Sequence, residues 1–446
     1  MNDVVVKIEK MAFGGAGFGH LHGKACFVPF TAPGDIARIR IKKEKRSYLE
    51  GELLQLLESS ERRITPLCPV FGACGGCNWQ HLSYSDQLVA KEEIFAELLW
   101  RSGRVSHERI LPIVPAPEPF AYRSRIQLKV RCIDGEPQLG FYRAGSHFVV
   151  NIPEKCAIVH PVINRLIIEL RRVITTFPEK EKIPQIDVAI GGDGRAELVI
   201  HYIGSTNQEI IRHFQKYSNA LRGAGMFLQT GNKATLEKIS EEKGAHLTYK
   251  VPNYSFPELP EILLSFKSGG FSQVNYRQNL ALVETVCCWA GATGRERVLD
   301  IFCGNGNFSL PLAGKASHVN GVEDYGPSIT IARYNSEANG IKNVSFTCAD
   351  AVSEISRMVA EDEKFEIILL DPPREGAPEV VRAIPALQPK AILYISCDPA
   401  TLARDIGILK RLGYEVTKCR PVDMFPQTYH IESVTLLEPA DKSGHT

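Results

Sequence analysis

Four short apolar runs, at 297–302, 319–323, 365–370 and 392–395, constrain this chain more than any other feature. Each stops abruptly at a turn or a polar group, and helical stretches lie between them. Alternating strands and helices are the mark of a doubly wound parallel sheet. The runs read as its first, second, fourth and fifth strands, with a helix at 278–290 before them. They are apolar almost throughout, as expected for strands covered on both faces. Ligands of such sheets bind outside the carboxyl ends of the strands. The residues that follow each run are therefore the site candidates: Cys303-Gly304-Asn305-Gly306-Asn307-Phe308, Glu323, Asp371-Pro372-Pro373-Arg374, and Ser396-Cys397-Asp398-Pro399. Runs at 414–422 and 431–437 can close the sheet as a hairpin.

A chain of 446 residues is too long for one ordinary core. Three parts are expected: 1–58, 59–270 and 271–446. No apolar run reaches the length of a membrane span, and the N-terminus lacks the basic and apolar regions of a signal peptide. The expected compartment is the cytoplasm, with no membrane partner and no obligate protein partner. There, clustered cysteines read as metal ligands or catalysts rather than disulfides. The net charge of +1 gives no global attraction to nucleic acid, but Arg38, Arg40, Lys42, Lys43, Lys45 and Arg46 crowd one stretch. Such a stretch either tracks phosphates or is a solvated strand face.

The first part is rich in glycine and short strand patterns, including 4–8 and 26–30, and suggests an OB-like barrel. Its Gly15-x-Gly17-x-Gly19 run opens no βαβ unit, so it is not a dinucleotide site. The middle part mixes strands with helices at 83–104 and 163–174. Arg123, Arg125, Lys129, Arg131 and Arg143 make a basic wall or a solvated sheet face.

Cys68, Cys74 and Cys77 are spaced C-x5-C-x2-C among glycines, and Cys156 in Pro153-Glu154-Lys155-Cys156 is the best fourth ligand. Four thiolates suit either an iron–sulfur cluster or a tetrahedral zinc, and a zinc ribbon more often shows two CxxC pairs.

A glycine turn followed by an acid at the next strand end binds an adenosine ribose. Here Ser309 replaces the third glycine of the dinucleotide fingerprint. The terminal hairpin and the Asp-Pro-Pro suit S-adenosylmethionine rather than NAD. Three reactive groups end neighbouring strands: Asp371, Cys397 and Glu432. A thiolate that adds to C6 of a pyrimidine makes C5 nucleophilic, and a base must later remove the C5 proton. Cys397 and Glu432 match these two needs. Asp371 suits the base edge or the cofactor amine, and Arg374 the C4 carbonyl or a phosphate. Cys287, Cys288, Cys303, Cys348 and Cys419 read as core or near-core residues.

Together these motifs resemble the RNA 5-methyluridine methyltransferases over nearly the whole chain. The resemblance implies an α/β fold: a Rossmann-like class I methyltransferase domain at the C-terminus, a TRAM barrel at the N-terminus and a mixed α+β domain between. It implies a 4Fe-4S cluster on Cys68, Cys74, Cys77 and Cys156. It places Gln273 (in Gly270-Phe271-Ser272-Gln273-Val274-Asn275), Phe302, Asn307, Glu323, Asp350 and Asp371 at the S-adenosylmethionine, Cys397 as nucleophile and Glu432 as base. Because barrel and cysteines are both present, the chain is more similar to the branch acting on 23S ribosomal RNA. A transfer-RNA enzyme is the alternative, and an RNA-binding ribosome assembly factor with little catalysis is the reading from another class.

Overall fold

The computed structural model describes residues 3–152, 154–204, 208–231, 235–240, 246–266, 270 and 272–440. Pro153 and Phe271 of the motifs above lie outside them. Strands β1 (Asp3–Met11), β2 (Gly17–Leu21), β3 (Lys24–Val28), β4 (Ile36–Glu44) and β5 (Tyr48–Glu58) close into a barrel in the order β1-β2-β3-β5-β4. Period-2 alternation turns Val6, Ile8, Cys26, Val28, Ala37 and Ile39 inward. The basic stretch faces outward and is largely paired. Lys42 meets Glu52 at 2.9 Å and Lys43 meets Glu50 at 2.9 Å, so it is mostly a solvated strand face.

The middle part folds as helix α1 (Tyr84–Leu98), strands β6 (Arg125–Ile133), β7 (Glu136–Tyr142) and β8 (Val149–Asn151), helix α2 (Pro161–Thr175), strands β9 (Gln185–Ile190) and β10 (Ala196–His201), helix α3 (Gln208–Lys216), and strands β11 (Gly225–Gln229) and β12 (Leu236–Lys238). Its seven strands form one mixed sheet, β12-β11-β10-β9-β6-β7-β8, on which α2 buries Ile163, Leu166, Ile167 and Leu170.

A hairpin of β13 (Leu247–Val251) and β14 (Ile262–Phe266) precedes helix α4 (Tyr276–Ala290). Then come β15 (Arg297–Ile301), α5 (Ser309–Ala313), β16 (His318–Glu323), α6 (Gly326–Ala338), β17 (Val344–Cys348), α7 (Ala351–Ala360), β18 (Ile367–Leu370), α8 (Pro378–Ala383), β19 (Ala391–Ser396), α9 (Pro399–Arg411), β20 (Tyr414–Val422) and β21 (Glu432–Pro439). The sheet order is β17-β16-β15-β18-β19-β21-β20. The first five strands are parallel, and β21 is antiparallel to both of its neighbours. Winding reverses between β15 and β18, which opens a crevice at their carboxyl ends.

Both faces of this sheet are covered. One face buries Leu299, Ile301, Ile368 and Ile392 with residues of α1, α7 and α9; the other buries Val298, Leu369 and Leu393 with the β13–β14 hairpin and α4. Thus α1 and the hairpin, though early in the chain, share cores with the C-terminal sheet. Helix α1 also carries a fully buried charge. Lys91 Nζ donates to Asp423 Oδ1 at 2.5 Å, with both side chains inaccessible. Losing one partner of such a pair costs about 3–5 kcal/mol, because the other is left buried and unpaired.

Candidate active site and cysteine cluster

Strand β15 ends in a turn that only particular backbone angles permit. Phe302 has φ +69°, Gly304 +55° and Gly306 +87°. Phe302 and Cys303 N–H both donate to Val322 O, at 2.9 and 3.1 Å, which ties the turn to the end of β16. A Cβ on Gly306 would meet Leu310 Cγ at 3.2 Å, so helix α5 starts closely beneath it. Glu323 accepts from Gly304 N at 3.2 Å and from Tyr325 N at 3.0 Å, which fixes its carboxylate beside the turn. Asn307 exchanges amide bonds with Asn279 of α4, both at 2.9 Å, and accepts from Tyr249 Oη at 3.0 Å. The α4 helix and the hairpin thereby hold the far wall.

The turn borders a cavity of about 620 Å³. Gln273, Phe302, Asn307, Glu323, Asp371, Arg374, Cys397 and Glu432 all line it. Asp350 does not: its carboxylate caps α7, accepting from Ser353 N and Ser353 Oγ, each at 2.9 Å.

Asp371 follows β18, Cys397 follows β19 and Glu432 opens β21, so three adjacent strands deliver them side by side. The loop 371–377 is pinned to α9. Ala377 N and Tyr394 Oη donate to Asp405 Oδ2 at 2.9 and 2.7 Å, and Thr401 Oγ1 donates to Arg374 O at 3.1 Å. Asp398 caps α9 by accepting from Ala400 N and Thr401 N at 2.9 and 3.0 Å, and Pro399 begins the helix. That stop leaves Cys397 directly before the N-cap of α9.

Burial dominates the electrostatics. It pushes Glu432, 3 % exposed, up to about 8, helped by Asp371 and opposed by Arg374. It pushes Asp371 up to about 7, helped by Glu323. The Cys397 thiol rises to about 12 through burial and then the Glu432 carboxylate, while Arg374 pulls it down. These acids are poised for proton transfer, and Arg374 is the cation that steadies the anionic forms.

The four candidate metal ligands share a second cavity, of about 760 Å³. Cys68, Cys74, Cys77 and Cys156 line it together with Arg123, Arg125, Lys129 and Arg143 of the basic wall. Gly76 N donates to Cys74 Sγ at 3.4 Å. Gly75 N donates to Tyr142 O at 2.9 Å, and a Cβ on Gly75 would meet Ala144 N at 2.9 Å, so glycine is required for that approach. Burial lifts Cys77 to about 12 and Cys156 to about 11. Among the described residues, no group of three or more His, Cys, Asp or Glu side chains is gathered as a metal-ion site. Of the other cysteines, Cys303 and Cys419 are buried as expected, but Cys288 and Cys348 are exposed: one sits on the outer face of α4, the other at the end of β17, the edge strand of its sheet.

The profile of the tRNA (Uracil-5-)-methyltransferase family matches residues 122–440, and that of the TRAM domain matches 3–54. The chain belongs to this methyltransferase family. A 23S rRNA (uracil(1939)-C(5))-methyltransferase RlmD of Alkalilimnicola ehrlichii is 34% identical over 97% of this chain and 96% of its own. An RNA methyltransferase of Thermosynechococcus vestitus is 33% identical over 97% of each chain. In fold the chain is similar to the Pyrococcus abyssi tRNA (uracil-54, C5)-methyltransferase crystallised with S-adenosyl-L-homocysteine, with TM-score 0.73 and 23% identity over 97% of this chain and 100% of that one.

As a member of the family, the protein is an S-adenosylmethionine-dependent RNA (uracil-C5)-methyltransferase with an α/β class I domain and a TRAM barrel. The crevice suits that cationic cosubstrate. Its walls carry the carboxylates Glu323 and Asp371, each raised by burial, and a sulfonium or ammonium would relieve that penalty. Two further residues bear on this site, one in the cavity wall and one behind it. His430 lines the cavity, stacked on Tyr429 at 4.4 Å, and burial lowers it to about 4, so it is neutral. It lies two residues before Glu432, and that spacing was its only signal. The second is Lys91. Gln87, Lys91, Ile94 and Leu98 share one helical stripe, and a lysine within such a stripe is the anomaly that could have flagged it.

Proposed function

We propose that this methyltransferase modifies a uridine of 23S ribosomal RNA through a covalent adduct on Cys397, with Glu432 as base. The observation that carries the reading is the convergence of Cys397, Glu432 and Arg374 on one cavity wall facing the glycine turn and Glu323. The Cys397 thiolate adds to C6 of the uracil, forming a C–S bond and an enolate whose charge Arg374 balances. Bound S-adenosylmethionine would supply an electrophilic methyl group, which C5 takes up as the methyl–sulfur bond breaks and S-adenosylhomocysteine leaves. Glu432 then removes the C5 proton; its electron pair restores the C5–C6 double bond and expels the thiolate. A carboxyl poised near 8 exchanges that proton readily around neutral pH. Gln273, Phe302, Asn307, Glu323 and Asp371 would hold the cosubstrate, Asn307 by fixing the wall through Asn279 and Tyr249.

Cys68, Cys74, Cys77 and Cys156 are proposed to hold a 4Fe-4S cluster with a structural role. Four thiols on one cavity, an amide aimed at a sulfur and a basic wall that offsets an anionic cluster support this. Residues 1–58 and 59–270 would then present RNA to the catalytic unit 271–446, in the cytoplasm. A transfer-RNA substrate is the second reading, favoured by the family's own description and by the Pyrococcus fold. Incubating the protein with tritiated S-adenosylmethionine and either undermethylated 23S rRNA or tRNA decides between them. Label confined to one 23S uridine supports the first reading, and label confined to tRNA overturns it.

A further inference from the structure

Between β20 and β21 the chain runs through residues 423–431, a strap that carries Phe425 and His430 into the catalytic cavity and ends on Glu432. Five successive strap carbonyls are bonded from outside the sheet or its hairpin. Asp423 O accepts from Gln278 Nε2 at 3.0 Å and Met424 O from Asn275 Nδ2 at 3.1 Å. Phe425 O accepts from Lys91 Nζ at 3.1 Å and Pro426 O from Tyr122 Oη at 3.0 Å. Gln427 O accepts from Asn78 N at 3.0 Å and Trp79 N at 3.1 Å, directly after Cys77.

Satisfying a buried loop's backbone needs no more than this. Helix α1 adds two contacts that go beyond the strap's carbonyls. Gln87 and Gln427 are joined twice, Gln87 Nε2 to Gln427 Oε1 at 3.0 Å and Gln427 N to Gln87 Oε1 at 2.9 Å. Lys91 is bonded to Asp423 at the strap's start, where Tyr84 Oη also donates to Asp423 Oδ2 at 2.8 Å. A buried ion pair adds little net stability over apolar residues of the same size, but it fixes geometry where it stands. Gln427 itself is held at φ +69°, a strained angle for glutamine that the Gln87 pair maintains.

We propose that α1 is a latch on the active-site strap, and that Lys91 and Gln87 are positioning residues that set Glu432 and His430 against Cys397 for the proton-removal half of the reaction. The inference rests on Glu432 acting as the base. Freeing the strap would displace Glu432 without touching the glycine turn or the Cys397 turn, which are anchored separately on β16 and α9. Addition of the thiolate and methylation would proceed, and resolution of the adduct would slow.

The test compares the full-length wild type, Glu432→Gln, the double variant Lys91→Met/Asp423→Asn, and Gln87→Leu. The double variant removes both charges together and keeps an acceptor for Tyr84; Gln87→Leu leaves the ion pair intact and carries the test if the double variant does not fold. Each is assayed for kcat, RNA KM, S-adenosylmethionine affinity and covalent protein–RNA adduct on denaturing gels. The latch predicts kcat lower by about ten- to a hundredfold, KM and cosubstrate affinity unchanged within about twofold, and adduct accumulating as in Glu432→Gln. Folded latch variants that turn over at the wild-type rate, or that lose activity without adduct, would overturn it. Absence of adduct in Glu432→Gln alone would instead overturn the assignment of the base, and the latch with it.

Discussion

Cys397 and Glu432 stand one step beyond Ser396 and Ser433, the last register pair of the antiparallel β19–β21 ladder. Thiol and carboxyl are therefore neighbours across two strands at the lip of the crevice. The carboxylate is the second-largest cause, after burial, of the raised thiol pKa. The β19–β21 pairing brings the proposed nucleophile and base side by side, and the strap that ends on Glu432 completes the placement that proton transfer needs.

The pH dependence of turnover follows from that pair. Glu432, near 8, must be ionised to accept a proton, and the Cys397 thiol near 12 must lose one to attack. Single-turnover methylation is expected to rise steadily from pH 6 to pH 8 in about tenfold steps per unit at its steepest, with no acid-side optimum. A rate that is flat across this range would contradict the protonation states assigned here.

Stability is expected to run the other way. Asp300 and Asp371 sit near 7 and Glu432 near 8, all above their unfolded values. The folded protein therefore holds more protons than the unfolded chain between about pH 4 and 8, and stability falls as pH rises through the folded values. His81 and His430, both lowered to about 4, oppose this only below their unfolded value near 6.5. The unliganded protein should melt at a lower temperature at pH 8 than at pH 6.5, and Asp300→Asn should flatten the slope by removing one contributor. Differential scanning calorimetry across that window checks both.

Much of this site was legible because strand ends are abrupt. Apolar runs that stop at Glu323, Asp371 and Cys397 announce a crevice, and the structure gathers all three. Asp350, expected at the cosubstrate, stands outside the lining of that cavity. It lies two residues past the end of β17, and its Asp-x-x-Ser spacing to Ser353 is that of a helix cap. The strap was illegible because its fixings are remote in sequence. Lys91 and Asp423 are 332 residues apart, and neither belongs to a motif. Exposure of Cys288 and Cys348 was missed because a cysteine's type favours burial while its place on an outer helix face or at a sheet's edge decides it.

The cysteine cavity makes a prediction independent of catalysis. Protein isolated without oxygen should be brown and contain close to four irons per chain, and Cys77→Ser or Cys156→Ser should lose the colour and most of the iron. Zinc at one ion per chain, with no iron, would assign the cavity to the other metal. Gln427 O is bonded by the two amides that follow Cys77, so loss of the cluster should also raise hydrogen exchange in residues 423–431.

The central claim is covalent catalysis by Cys397 with Glu432 releasing the product. The most direct test is to incubate Glu432→Gln with substrate RNA and methyl-labelled S-adenosylmethionine and to resolve the products on a denaturing gel. Covalent catalysis predicts a stable protein–RNA band that carries the labelled methyl group and disappears when Cys397→Ala is added to the same chain. Free methylated RNA released at the wild-type rate by Glu432→Gln, or an adduct that survives Cys397→Ala, would contradict it.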